Sequence, residues 1–157
     1  MSPDEIFLEK LLLALDGAGL EALVVGATAA ALQGAPVTTR DVDLLVRDTP
    51  ENRQKIVRLS ELLQAAKPAP VEDSSSLTIL GSDVPVDLIF DTLPGGFTWD
   101  SIESRAEEIA IGSGSALVAS LPDLIESKLA SGQPRDLAQL PILRDTLRVK
   151  QALAGER

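Results

Sequence analysis

Apolar residues recur with helical spacing in some segments and in short continuous runs in others, which predicts an α/β chain. Runs of β-branched and leucine residues bounded by turn residues predict six strands, at Glu21–Gly26, Asp41–Arg47, Ser76–Leu80, Val84–Phe90, Glu107–Ile111 and Ala116–Ala119. Helices are predicted to begin after the capping residues Ser2, Thr49 and Ser120, each of which precedes a proline within two positions.

The remaining helices and loops follow from the same spacing and from glycine and proline. The first helix is expected to bury one face, formed by Ile6, Leu8, Leu11, Leu12 and Leu15. Further helices are predicted over residues 28–33, 98–103 and 135–153, while the segment Leu93–Phe97 reads as a loop because it contains Pro94, Gly95 and Gly96.

Length and composition indicate one domain. A chain of 157 residues with 45% apolar residues is long enough to bury a core without disulfides. We expect residues 1–111 to form the core and residues 112–157 a helical C-terminal part. No apolar run approaches the roughly 20 residues of a membrane span, and the N-terminus lacks the basic region of a signal peptide. The expected location is the cytoplasm, without a membrane partner.

The residue types that are available to bind metals, and the net charge, limit the reactions and ligands that fit this chain. The chain has no cysteine and no histidine, so thiolate chemistry and zinc–thiolate sites are excluded, and any metal must be bound through oxygen. Oxygen ligands favour Mg²⁺ or Mn²⁺. The net charge of −10 disfavours broad electrostatic binding of nucleic acid. The few aromatic residues disfavour a base-stacking surface.

One stretch, residues 24–46, carries the strongest chemical signal. A short apolar run ends at Gly26, an alanine-rich helix follows, and the next strand carries Asp41 and Asp43. Side chains two positions apart leave the same face of a strand, so the two carboxylates are predicted to form a metal site. Gly26 allows a sharp turn and the close approach of a phosphate. Asp87 adds a carboxylate within the apolar run Val84–Phe90, where a lone charge is costly unless it is neutralised.

These residues resemble the signature of the nucleotidyltransferase superfamily. Gly26-Ala27-Thr28 followed by Asp41-Val42-Asp43 resembles its turn, helix and acid-hydrophobe-acid strand. Thr39-Arg40-Asp41 and the segment 118–137 resemble more closely the AbiEii/AbiGii-type toxin nucleotidyltransferases. The resemblance covers most of the chain. It implies a small mixed β-sheet with helices behind it and a helical C-terminal part that closes one side of a cleft.

The resemblance also implies an activity and a set of site residues. It implies transfer of a nucleotidyl group from a nucleoside triphosphate to an acceptor hydroxyl of a tRNA or a protein, in a toxin–antitoxin or phage-defence system with an antitoxin partner. Asp41 and Asp43 would bind both ions of a two-magnesium centre, and Asp87 would bind the catalytic ion and accept the proton of the attacking hydroxyl. The nucleotide would contact Gly26, Ala27, Thr28, Lys128, Arg135 and Asp136.

Several departures and alternatives remain open at the level of sequence. Ala27 stands where relatives carry serine or glycine, and Thr28 is one helical position away from it; Gln133 and Gln139 also depart from the C-terminal motif. A catalytically degenerate nucleotide-binding or interaction module is therefore the main alternative. An Asp-x-Asp glycosyltransferase is a third interpretation, although it requires a larger domain before the acids.

Each site residue also has a purely structural interpretation. Asp41 could cap a turn, Asp43 could pair with a surface cation, and Gly26 could simply begin a helix. Lys128 could lie on a solvated helix face, with Asp136 as a helix-start acid. For Arg40 the site role and the structural role are weighed equally, because its side chain is expected on the strand face opposite Asp41.

Overall fold

The structure is a computed structural model that describes residues 2–71 and 75–155. The helices within these ranges are α1 (Pro3–Ala18), α2 (Gly26–Leu32), α3 (Pro50–Leu62), α4 (Trp99–Arg105), α5 (Leu121–Ser131) and α6 (Pro134–Gly155). The strands are β1 (Leu23–Val25), β2 (Val42–Val46), β3 (Ala69–Pro70), β4 (Leu77–Ile79), β5 (Val86–Phe90), β6 (Thr92–Leu93), β7 (Phe97–Thr98), β8 (Glu107–Ile111) and β9 (Gly114–Val118). The predicted α/β class is confirmed.

Seven of these strands form one mixed sheet in the order β3-β4-β5-β2-β1-β9-β8. The pairs β2–β5 and β1–β9 are parallel, and the other neighbouring pairs are antiparallel. In the middle strand, β2, Leu44, Leu45 and Val46 are fully inaccessible to solvent. Such a strand is apolar on both faces because both faces are covered. A polar residue in it is therefore conspicuous.

The capping residues act as predicted. Ser2, Thr49 and Ser120 each accept a hydrogen bond from the backbone N–H three residues further along, and a proline occupies the first or second helical position each time. Such a cap satisfies one of the N–H groups that lack a partner in the first turn of a helix. The starts of α1, α3 and α5 are therefore set by local sequence.

The buried face of α1 differs from the prediction. Phe7, Leu8, Leu11, Ala14 and Leu15 are buried, whereas Ile6 is 55% exposed and Leu13 is 62% exposed. Apolar residues occupy more than one stripe of this helix, so helical spacing could not decide which stripe meets the core. Contacts with α3, β8 and β9 select the buried stripe.

One other segment also differs from the prediction. The segment Leu93–Phe97, which reads as a loop, contains the turn of a two-stranded hairpin formed by β6 and β7. The strand predicted at Ala116–Ala119 is present as β9, which pairs with β1 in the main sheet, and the helices of the C-terminal part begin at Leu121. Short strands of two residues have too few positions to show a period.

The helices bring the C-terminal part next to the start of β2. α2 packs against β1, β2 and α5, and α5 packs against α6. Residues of β2, α5 and α6 therefore meet at one end of the sheet. No helix among residues 2–71 and 75–155 is long and apolar enough to cross a membrane.

Candidate active site

The register of two parallel strands brings Asp43 and Asp87 together. In the β2–β5 pair, Asp43 lies directly opposite Asp87, between the pairs Val42–Val86 and Leu44–Leu88. Residues opposite one another in a parallel pair point to the same face, and their neighbours point to the other. Two residues 44 positions apart in sequence thus share one surface, which local spacing could not establish.

Asp41 completes an acidic cluster. It lies in the bend immediately before β2, and single oxygens of Asp41, Asp43 and Asp87 all lie within 4.8 Å of one another. The Thr28 hydroxyl donates a hydrogen bond of 3.1 Å to the backbone carbonyl of Asp41. α2 therefore helps to fix the backbone that presents Asp41.

Crowding of these carboxylates changes their acidity. Burial raises the pKa of Asp43 to about 7, and the negative charges of Asp41 and Asp87 add to the increase. Burial also raises the pKa of Asp41, followed by its hydrogen bond and charge interaction with Asp87. Like charges at this distance favour the protonated form unless a cation lies among them. The cluster is therefore electrostatically suited to a cation.

Gly26 fits against this cluster in a way that no other residue would. Its φ of +66° lies in the left-handed region, and a Cβ atom at this position would stand 2.3 Å from Oδ2 of Asp43. Both the backbone conformation and the close approach require glycine. The start of α2 is therefore packed directly on the acidic cluster.

A cavity of about 820 Å³ opens beside the cluster. Its volume lies within the range of roughly 300–1,000 Å³ that is typical of small-molecule sites. The segment after α2 forms one wall, and α5 and α6 form the opposite wall. Of the predicted site residues, those that line the cavity are Gly26, Ala27, Asp41, Asp43, Lys128, Arg135 and Asp136.

Thr28 lies apart from the other predicted nucleotide-binding residues. It is buried, and its hydroxyl is engaged with the Asp41 carbonyl rather than directed into the cavity. The Thr28 hydroxyl is therefore not available to a phosphate in place of the hydroxyl that Ala27 lacks. One residue along a helix corresponds to about 100° of rotation, which separates the two directions.

The wall opposite the acids carries an ordered group of polar side chains. The Lys128 ammonium donates to Asp136 at 3.2 Å, and the Ser131 hydroxyl donates to the other oxygen of Asp136 at 2.5 Å. Only 14% of the Lys128 side chain is exposed, so it is not a solvated surface lysine. Although burial acts to raise the pKa of Asp136, the hydrogen bonds from Ser131 and Lys128 lower it overall.

Several polar residues of the cavity are absent from the predicted site, among them Arg40, Ser131 and Gln139. Arg40 lines the same cavity as Asp41, because it lies in the bend before β2, where the alternation of a strand does not apply. Ser131 and Gln139 also line the cavity, and Oε1 of Gln139 is a buried atom without a hydrogen-bond partner among the described residues. Both are polar residues in or next to the C-terminal motif, and that position was the sequence signal that could have identified them.

The donor set matches a hard divalent cation. The cluster offers carboxylate oxygens, and the sequence has no histidine or cysteine that would direct a site to softer metals. Oxygen ligands of Mg²⁺ lie at about 2.1 Å from the ion. One oxygen of each carboxylate lies within 4.8 Å of the others, close to the roughly 4.2 Å that two ligands of one such ion can span, so the donor set of Asp41, Asp43 and Asp87 fits Mg²⁺ or Mn²⁺.

Comparison with known proteins relates this fold to solved structures. No protein-family model matches the chain, and no curated protein matches its sequence. The solution structure of the antibiotic-resistance factor ANT(2'')-Ia is similar to the chain, with a TM-score of 0.65 at 15% identity, over 98% of this chain and 92% of that one.

A crystal structure of ANT(2'')-Ia in complex with adenylyl-2''-tobramycin gives a TM-score of 0.64 at 15% identity and covers 99% of both chains. TM1012 of Thermotoga maritima, a protein assigned to the nucleotidyltransferases, gives a TM-score of 0.59 at 18% identity, over 94% of this chain and 96% of that one. These likenesses establish that the chain has the nucleotidyltransferase fold.

Proposed function

We propose that the protein transfers a nucleotidyl group from a nucleoside triphosphate to a hydroxyl of an acceptor, and releases pyrophosphate. The observation that carries this proposal is the convergence of Asp41, Asp43 and Asp87 within 4.8 Å of one another, at the edge of a cavity whose other wall is cationic. A cluster of acids opposite a cluster of cations suits a substrate that is bound partly through metal and partly through direct ion pairs.

In this proposal the acidic residues bind the metal and one of them accepts a proton. A bound divalent ion would polarise the α-phosphate and increase the acidity of the attacking hydroxyl. Asp41, Asp43 and Asp87 would hold and orient the metal, and Asp87 would also accept the proton of the acceptor hydroxyl. The new bond forms between the acceptor oxygen and the α-phosphorus, and the bond from that phosphorus to the oxygen of the β-phosphate breaks.

The remaining cavity residues would hold the triphosphate. Lys128 and Arg135 line the cavity and bring positive charge to the wall opposite the acids, and Arg40 adds a cation beside Asp41. Gly26 and Ala27 present backbone without a large side chain, so the phosphates can approach the turn closely. Lys128 already has Asp136 as a partner, so a triphosphate would have to compete with that carboxylate or share the ammonium with it.

The acceptor is a separate question. The resemblance to toxin-type nucleotidyltransferases favours a tRNA or protein acceptor, and an antitoxin partner rests on that resemblance alone. The net charge of −10 disfavours a tRNA. The complex of ANT(2'')-Ia contains an adenylylated small molecule. We therefore favour a small-molecule acceptor.

The test is incorporation of label from each of the four α-labelled nucleoside triphosphates into acceptors from cell extract, with and without magnesium. We expect magnesium-dependent labelling that is lost in Asp43→Asn and retained in Asp83→Asn, which makes the same change at an exposed turn residue. Equal labelling by wild type and Asp43→Asn would refute the proposed chemistry. Magnesium-dependent nucleotide binding without transfer would favour the degenerate binding module instead.

A further inference from the structure

A second cavity adjoins the proposed active site. It has a volume of about 640 Å³ and lies between the C-terminal half of α6, the end of α2 with the segment that follows it, and β8. We call it the α6 groove. Its apolar lining residues are Leu32, Pro36, Ile109, Ile142, Val149 and Leu153.

The α6 groove borders the cavity of the proposed active site. Pro36 and Ile142 line both spaces, one from the segment after α2 and the other from α6. These two residues therefore mark the boundary between the spaces. A molecule that filled the groove would reach the edge of the cavity that contains Asp41 and Asp43.

The polar side chains of the groove already have hydrogen-bond or ion-pair partners within the protein. Lys150 donates to Gln33 Oε1 at 2.7 Å and to Glu107 at 2.5 Å. Asp145 forms an ion pair with Arg148, and the Thr146 hydroxyl donates to the Ile142 carbonyl at 2.8 Å. Among the described residues that line the groove, each carboxylate thus has a cation partner, and a polycationic ligand would find little charge to bind.

The exposed apolar residues in the groove are the part that a ligand would cover. Val149 is 60% exposed and Leu153 is 58% exposed, although both face a concave surface. Contact with an apolar body would remove this surface from water. The volume of the groove suits a drug-sized molecule.

We propose that the α6 groove binds the body of the acceptor, and that the acceptor is a small, predominantly apolar molecule whose hydroxyl enters the active-site cavity past Pro36 and Ile142. This inference rests on the proposed nucleotidyl transfer and adds the substrate class to it. It predicts that polyamines are not the acceptors, because the groove is apolar and its carboxylates are already paired with cations.

The test compares Val149→Glu with Val57→Glu. Val149 lies in the groove and does not line the active-site cavity, while Val57 is an exposed valine on α3 that lines neither space. Glutamate is compatible with a helix at both positions. The uncharged apolar dye Nile red is titrated into each protein. We expect Val149→Glu to weaken its binding by roughly tenfold or more, since a charge replaces apolar contact, and Val57→Glu to leave it unchanged.

The acceptor class is tested with four pools in the labelling assay, namely the organic-extractable small molecules of the cell extract, a polyamine pool with tobramycin, tRNA and total protein. We expect label in a product from the organic-extractable pool. At limiting acceptor, Val149→Glu should lower this labelling by about tenfold while the affinity for magnesium and nucleotide stays unchanged.

The outcomes separate the two proposals. Label that appears only with polyamines, tRNA or protein overturns the acceptor class and leaves nucleotidyl transfer standing. Dye binding that is indifferent to Val149→Glu overturns the groove as an apolar site. A wild-type dimer that Val149→Glu converts to monomer overturns the inference, because a second copy then covers the groove. Absence of both magnesium-dependent nucleotide binding and labelling refutes the proposed function itself.

Discussion

The two walls of the active-site cavity are built by different means. The acids are placed by backbone: Asp43 and Asp87 by strand register, and Asp41 by the bend that Thr28 holds. The cationic wall is placed by side chains, since Lys128 is held by Asp136, and Asp136 by Ser131. The acidic wall is therefore rigid, whereas the cationic wall depends on contacts that a substrate could replace.

The walls also differ in electrostatic balance. The acids repel one another, and the pKa values of Asp41 and Asp43 are raised. The Lys128–Asp136 pair is neutral as a unit, and the pKa of Asp136 is lowered. A rigid scaffold can hold repelling charges because the buried strands around them supply the stability. The acidic wall is thus suited to a cation, while Lys128 and Asp136 on the cationic wall already satisfy each other without a ligand.

The largest effect is expected from Asp87→Asn. The substitution keeps the shape of the side chain and removes one of three charges that would hold the metal. Nucleotidyl transfer should fall by a factor on the order of 10³, which corresponds to about 4 kcal/mol of transition-state stabilisation. Binding of Mn²⁺, followed by electron paramagnetic resonance, should weaken in parallel. Transfer that stays within severalfold of wild type would remove Asp87 from the site.

Gly26→Ala should have the next largest effect, and Gly19→Ala is its matched control. Both glycines have a φ near +66°, so both substitutions introduce backbone strain of about 1–2 kcal/mol. Only the Cβ at position 26 meets Asp43, whereas no described residue lies within 4 Å of a Cβ at position 19. Denaturant unfolding should show a loss for both variants.

Only Gly26→Ala should also lower the rate of nucleotidyl transfer. Displacement of the Asp43 carboxylate should lower transfer by roughly a hundredfold, since misplacement by about 1 Å can cost that much. Gly19→Ala should keep wild-type kinetics. Equal kinetics for the two variants would show that the close approach to Asp43 has no functional consequence.

Lys128→Ala tests the cationic wall. Loss of the ammonium should weaken the affinity for a magnesium–nucleoside triphosphate by about tenfold, the effect of one charge-assisted interaction. Lys67→Ala removes the same charge from an exposed position and should leave the dissociation constant unchanged. Isothermal titration calorimetry measures both values. An unchanged constant for Lys128→Ala would assign this lysine to the α5–α6 contact alone.

The smallest predicted effect is on the way the stability of the fold depends on pH in metal-free buffer. Burial raises the pKa of Asp43 from its ordinary value of 3.8 to about 7 in the folded state, so folding favours the protonated form. This contribution is present below pH 3.8 and is lost as the pH rises toward about 7. The pKa of Asp136 is lowered, so this residue stabilises the fold as the pH rises, and its contribution is already fully present at mildly acidic pH.

Between pH 5 and pH 8 the contribution of Asp43 should therefore dominate. Melting temperatures measured with a chelator should decline over this range in wild type, and should decline less in Asp43→Asn. Addition of magnesium at pH 8 should raise the melting temperature of wild type and leave that of the variant almost unchanged. A wild-type curve that is flat from pH 5 to pH 8 would contradict the crowding of the three carboxylates.

Local sequence accounts for much of the fold. The caps at Ser2, Thr49 and Ser120 mark helix starts because a hydroxyl three residues before an N–H acts within one turn. Apolar runs mark the strands because a strand buried on both faces excludes polar residues. For the same reason, a charged residue such as Asp43 inside the apolar run of β2 stands out in the sequence alone as a candidate site residue.

Spatial arrangement decided the rest, because it depends on which distant segments meet. The stripe of α1 that is buried depends on α3 and the sheet edge, and the pairing of Asp43 with Asp87 depends on strand register. Arg40 joins the cavity because the chain bends before β2, and the α6 groove exists because α6 lies across the end of α2 and β8. Sequence thus determined the elements and the reactive residue types. Tertiary packing determined which of them share a surface, because periodicity carries no information about contacts between remote segments.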